Sequence, residues 1–392
     1  MIDFEALAAY GTAPRDGCRM FGVGYDDAFG RITRTFVERR FRNGGSSVKY
    51  VVGPFGSGKT HFVRQLCELA RDRGCVTGEV KLTRDVDMTK TLIVYRQIAQ
   101  EVRPPDHPER GIGSLLRACL TNVRASAADE IAGRELAVGW IGGLVHQNLA
   151  SEAFARVASV GLEALLVEDG ERFEFARRWL GGEIGNREIT KPLGVDRTSQ
   201  AEEGVFAARM LLSLFQLVRS SGFRGTVLAL DEAEQGMAVN QQSLNYIFSV
   251  MQSSINYMTD LDDGAALVVY AITPSVRERM DAFPALQQRL EANPSFFEGN
   301  DYAPIIDLTR RDDPEEELRQ IGEKLTTLFV AQEGLPEGES EAGLRAEVRD
   351  IAVRVARDDP SAQNRRTFVK SACARLLRST GFTTPVESEP EV

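Results

Sequence analysis

The chain has 392 residues, 47 basic and 57 acidic, for a net charge of -10, and its 43% hydrophobic and 27% charged content is that of a soluble globular protein of two or three domains or one large domain with a lid. The acidic balance argues against a dedicated nonspecific DNA binder but leaves room for a local basic groove. No apolar run reaches a membrane span and the N-terminus lacks the order of a secretory leader, so a cytoplasmic location with no membrane partner is expected.

Residues 1–20 read as an irregular lead-in. In YDDAFGRITRTFVERRF, Phe29, Ile32, Phe36, Val37 and Phe41 recur at helical spacing, and NGGSS ends that helix. VKYVVG is a short buried strand, and after a glycine-rich loop KTHFVRQLCELARDRG is a helix with Phe62, Leu66, Leu69 and Ala70 on one face. CVTGEVKLT and TKTLIVYRQIAQEV repeat the strand–helix order of a parallel sheet flanked by helices. Residues 104–200 read as a mostly helical insertion. Alternation then resumes: GVFAARMLLSLFQLVRSSG is a helix, GTVLALDEAEQ a strand, SLNYIFSVMQSSINYM a helix and AALVVYAITPS a strand. VRERMDAFPALQQRLEA is helical and APIIDLT is a final strand. From 313 only helices follow, opened by Asp313 as N-cap and Pro314 in the first turn, with Glu315 to Glu317 near the positive helix end. The expected division is an α/β domain over 1–312, a small three-helix domain over 313–381, and an acidic tail over 382–392.

Gly53-Pro54-Phe55-Gly56-Ser57-Gly58-Lys59-Thr60 fits G-x-x-x-x-G-K-[ST], with a strand before it and a helix after it. In such a loop backbone N–H groups curl round phosphates, Lys59 reaches the β- and γ-phosphates, and Thr60 ligates Mg2+. His61 follows in the same turn, so its backbone N–H also faces a phosphate. His61, His107 and His146 stand alone and the five cysteines lack CxxC spacing, so neither a zinc site nor a disulfide framework is suggested.

The second constellation is TVLALDEAE, where Asp231 ends an apolar strand and suits holding magnesium, directly or through water, while Glu232 suits polarising the attacking water. An apolar strand ending in two acids is common by itself; behind a phosphate loop it points to ATP hydrolysis. Thr273 ends another strand, where it either contacts the γ-phosphate or the water, or makes a local turn. Arg289 is a candidate arginine finger toward a neighbouring subunit, and Arg365 or Arg366 a candidate reaching back from the last helix, against the alternative of surface arginines. Arg310 and Arg311 read as solvated or helix-flanking.

This order of parts resembles an AAA+ ATPase near the origin-recognition initiator clade. YGTAPRDG, GPFGSGKTHF, VYRQIA, RRWLGGE, FRGTVLALDEAEQ, AITPS and NRRTFVKSACARLL together resemble the BREX phage-exclusion P-loop family, BrxC/BrxD, with the length suiting the BrxD branch. Phe55 and Thr60 stand where that family usually has Tyr and Ser, and Arg365 stands where a proline often precedes the lid arginine. The resemblance implies an AAA+-type parallel sheet with a C-terminal helical lid, an antiphage ATPase using ATP and Mg2+, oligomerisation, and a setting with DNA and a helicase-like partner. A slow nucleotide-gated switch or scaffold is the second reading. A small-molecule kinase is the third, weakened by Asp231-Glu232 and the C-terminal helices.

Overall fold

Short β-branched segments, each closed by a loop and returned by a helix, build one five-stranded parallel sheet in the order β2-β3-β4-β1-β5. The strands are β1 (Ser47–Val52), β2 (Val76–Lys81), β3 (Thr226–Asp231), β4 (Ala266–Ile272) and β5 (Ile305–Asp307). The computed structural model describes residues 2–83, 86–237, 240–309, 313–335, 338–359 and 364–378, so Arg310, Arg311 and the acidic tail lie outside the described residues.

Both sheet faces are covered, which is why the strands are nearly continuous apolar runs. Alternate residues separate cleanly: Val227, Ala229, Leu267 and Val269 enter one core. Leu228, Leu230, Val268 and Tyr270 enter the other. The first core lies under α3 (Asp26–Ile32) and α4 (Lys59–Arg71), α1 (Phe4–Tyr10) and α2 (Cys18–Phe21) being the chain's opening helices. The segment expected as one helix changes character after α3, because Thr33–Arg40 winds as a π-helix.

The second core gathers α5 (Thr91–Glu101), the helices of the 104–200 segment and α11 (Glu203–Ser220). That segment holds α6 (Ile112–Ala125), α7 (Glu130–Leu144), α8 (Glu152–Leu166), α9 (Gly170–Leu180) and α10 (Arg187–Leu193). Beyond β3 come α12 (Ala233–Gly236), α13 (Gln241–Asp260), α14 (Pro274–Asp281) and α15 (Pro284–Leu290), the last two divided where Pro284 opens a new helix.

A third core joins α16 (Pro314–Glu333), α17 (Glu341–Asp358) and α18 (Asn364–Arg378) to the N-terminus. The opening residues are therefore not an irregular lead-in. Asp3 caps α1 by accepting from the Ala6 N–H, and Phe4, Leu7 and Ala8 are buried with α16–α18. Gln332 of α16 pairs with the backbone N–H and C=O of Ile2, both at 2.8 Å.

Lys49 of β1 is buried at 1% exposure, donating to the carbonyls of Asp301 and Ala303 at 2.7 and 2.5 Å. Burial pulls its ammonium down to about 7, against the opposing pull of the Asp301 carboxylate. Between that value and the ordinary lysine range the unfolded chain holds the extra proton, so stability rises with pH across this window and the penalty is complete below it. Urea denaturation at pH 6.5 and pH 9 is expected to show that rise in the wild type and a smaller one in Lys49→Met; equal rises would contradict the assignment.

Candidate functional site

The loop after β1 is held open by its own residues. Ser57 is fully buried beneath it, and a Cβ at Gly53 would lie 2.4 Å from the Ser57 Oγ, which is why glycine is needed there. Gly58 has φ 90, a left-handed backbone, and turns the chain directly into α4. The first N–H groups of this helix face the loop and carry the positive end of its dipole. Lys59 Nζ donates to the carbonyls of Gly53 and Pro54 at 2.8 and 3.1 Å. Burial lowers the Lys59 pKa, while the carboxylates of Glu234 and Asp231 draw it back up.

The sheet order brings the acids to this loop. β4 lies between β1 and β3, so the ends of the loop strand and the acid strand are one strand apart. Across that gap Thr60 Oγ1 donates to Asp231 Oδ2 at 2.7 Å, with Asp231 fully buried. Two oxygen donors so placed suit a hard cation that also takes substrate phosphates and water. Among the described residues no group of three His, Cys, Asp or Glu side chains could hold a metal by itself. The donor set thus fits magnesium carried with a nucleotide.

Glu232 has φ 57 and ψ 33, a strained conformation for a residue with a side chain. This turns its carboxylate out of the strand direction. It meets Lys81 Nζ at 3.5 Å and accepts from Gln235 Nε2 at 2.6 Å.

A cavity of about 350 Å³ opens over these groups. Its polar end is lined by Phe55, Gly56, Gly58, Lys59, Thr60 and the acids Asp231, Glu232 and Glu234. Its apolar end is lined by Leu7, Phe21, Val23, Ile321 and Val369, from the N-terminal segment and the C-terminal helices. The volume lies within the roughly 300–1,000 Å³ of small-ligand sites. His61 also lines it, but its imidazole packs edge-on to Phe21 at 4.9 Å between ring centres, and burial pushes its pKa down to about 4.

Of the two arginine candidates in α18, Arg365 is the one that touches the loop. It is buried, donates to Ser57 O at 2.6 Å and to the Tyr25 hydroxyl at 2.7 Å, and is ion-paired with Glu317 of α16. Arg366, next along, is exposed and lines the cavity. Thr273 and Arg289 are not among the lining residues. The Thr273 hydroxyl pairs with Ser275 at 3.0 Å at the start of α14, and exposed Arg289 donates to Asn256 of α13 at 2.9 Å. Three residues at the site went unmarked in the sequence: Tyr25, Glu234 and, as a partner for an arginine, Glu317. The Glu234 Oε2 is buried without a hydrogen-bond partner among the described residues, and its pKa is raised by burial. A second acid two positions after Glu232 was the available signal for it.

Comparison with known families gives one result: the family model described as BREX system ATP-binding protein BrxC/D matches residues 4–377, and the chain belongs to that family. No curated protein and no solved structure matches the chain.

Proposed function

Because the chain is a BREX system ATP-binding protein by family, we propose that it is a magnesium-dependent AAA+-type ATPase acting in an antiphage defence system. The observation that carries this reading is the 2.7 Å hydrogen bond from Thr60 to Asp231 beside a phosphate loop and over a nucleotide-sized cavity. The triphosphate lies along Gly53, Pro54, Phe55, Gly56, Ser57, Gly58 and the backbone of His61, with Lys59 leaving its loop carbonyls for the β- and γ-phosphates. The apolar end, with Leu7, Phe21, Val23, Ile321 and Val369, takes the base and ribose. When bound, Mg2+ neutralises phosphate charge, and Thr60 and Asp231 are the residues that hold it.

Glu232 is the general base, released from Lys81 and Gln235 to face a water in line with the γ-phosphate. The C-terminal helices act as a lid, with Arg366 at the cavity and Arg365 tying α18 to the loop. Thr273 serves the phosphate end only if the strand ends shift on binding, since its hydroxyl now faces Ser275. Arg289, exposed and clear of its own cavity, supports a homo-oligomer in which it enters the neighbour's site. DNA and a helicase-like defence protein are the partners this reading expects.

Two experiments test this. Phosphate release from ATP is expected with magnesium and not with EDTA, and Asp231→Asn is expected to raise the magnesium requirement at least about tenfold; release that ignores magnesium contradicts the assignment. Arg289→Ala is expected to lose hydrolysis but keep ATP binding, and mixing it with Glu232→Gln subunits is expected to restore part of the rate; no recovery in any mixture removes the arginine acting in trans. The observation favouring a slow switch is that Glu232 is already engaged by Lys81 and Gln235. Wild-type turnover equal to that of Glu232→Gln, with or without DNA, would make that the better reading.

A further inference from the structure

The largest cavity among those described lies at the other end of the sheet from the nucleotide site. It has about 650 Å³ and opens where Gly74 leads into β2 and Arg224 leads into β3. Four arginines line it, Arg42, Arg73, Arg219 and Arg224, with Asp106 the single carboxylate in the lining. In a chain of net charge -10 this is a local reversal of sign.

Three of the arginines donate to backbone carbonyls. Arg219 Nη2 donates to the carbonyl of Arg42 at 3.1 Å, and Arg224 Nε to the carbonyl of Arg73 at 3.0 Å. Arg73 Nη1 donates to Leu69 O at 3.2 Å and meets one carboxylate, Glu38, at 3.5 Å. The Arg42 side chain is exposed and has no hydrogen-bond or ion-pair partner among the described residues. Each guanidinium therefore keeps donors for an incoming anion, and three are already positioned.

We propose that this cleft is a docking surface for the phosphodiester backbone of a nucleic acid. Planar guanidinium groups match phosphate oxygens two at a time, and Thr121 and Asn122 add neutral polar side chains to the same wall. An acidic protein segment is the weaker fit. Protein partners anchor through large apolar side chains in pockets, and the apolar lining here is only Pro105, Ala118, Ala125 and the buried Phe223. Guanidinium contacts to phosphate carry no sequence information, so binding is expected to depend strongly on salt and weakly on sequence. The inference rests on the DNA association proposed above and assigns it a surface; the ATP-site reading is independent of it.

The test is fluorescence anisotropy of labelled duplex and single-stranded DNA of arbitrary sequence, titrated with the full chain at several salt concentrations. Arg42→Glu, and Arg42→Glu combined with Arg224→Glu, are compared with the wild type, and basal ATP hydrolysis reports that each variant is folded. The single reversal is expected to weaken binding about tenfold, and the double to flatten the salt dependence by about two phosphate contacts. Arg42→Lys is expected to retain most of the affinity. Wild-type binding that both reversals leave unchanged overturns the surface while sparing the DNA association. No binding by the wild type overturns both, and equal binding of polyglutamate overturns the choice of ligand.

Discussion

Glu232→Gln is expected to bind ATP and to lose hydrolysis by about 10²–10⁴-fold, the range over which a positioned general base contributes. The substitution keeps the shape and the contact with Gln235, and the left-handed backbone at this position is unchanged in kind. Lys59, Thr60 and Asp231, which hold the phosphates and the metal in this account, are untouched. Affinity by equilibrium titration should stay within a few-fold of wild type, while phosphate release falls to the background. A variant that still turns over within threefold of wild type would remove Glu232 from the mechanism and direct attention to Glu234, a further acid at the cavity.

Arg365→Ala is expected to be the most destabilising single change near the site. It leaves Glu317, 9% exposed, without the guanidinium, and it removes the donor to Ser57 O and to the Tyr25 hydroxyl. Breaking a buried pair by removing one partner costs about 3–5 kcal/mol. Urea denaturation should show that loss, and Glu317→Gln together with Arg365→Gln should recover a large part of it, since no charge then stays buried. A loss below about 1 kcal/mol would mean that the pair is solvated and does not bind α18 to the loop.

The candidate phosphate loop was legible because its pattern is local. Eight consecutive residues set the turn, the lysine and the hydroxyl, and the strand before and helix after them declare themselves by pattern. The parallel sheet followed from strand–helix alternation. Its order did not, because alternation says nothing about which strand separates β1 from β3. The N-terminal helices were illegible for a different reason. α1 has 7 residues and α2 has 4, too few for periodicity, and their apolar faces are covered by helices some 300 residues further on. Glu317 looked like an acid placed for the dipole of α16, and its pairing with Arg365 needed the third dimension. Likewise the four cleft arginines are scattered over positions 42 to 224, so no local run announced them.

The central claim, that ATP sits between the loop and the C-terminal helices, is tested most directly by backbone hydrogen exchange with and without ATP and magnesium. The account predicts slowed exchange at both residues 53–62 and residues 364–378, and loss of both effects in Lys59→Ala. Protection of the loop alone would contradict the lid, and protection of neither in a wild-type chain mixed with saturating ATP would contradict the site.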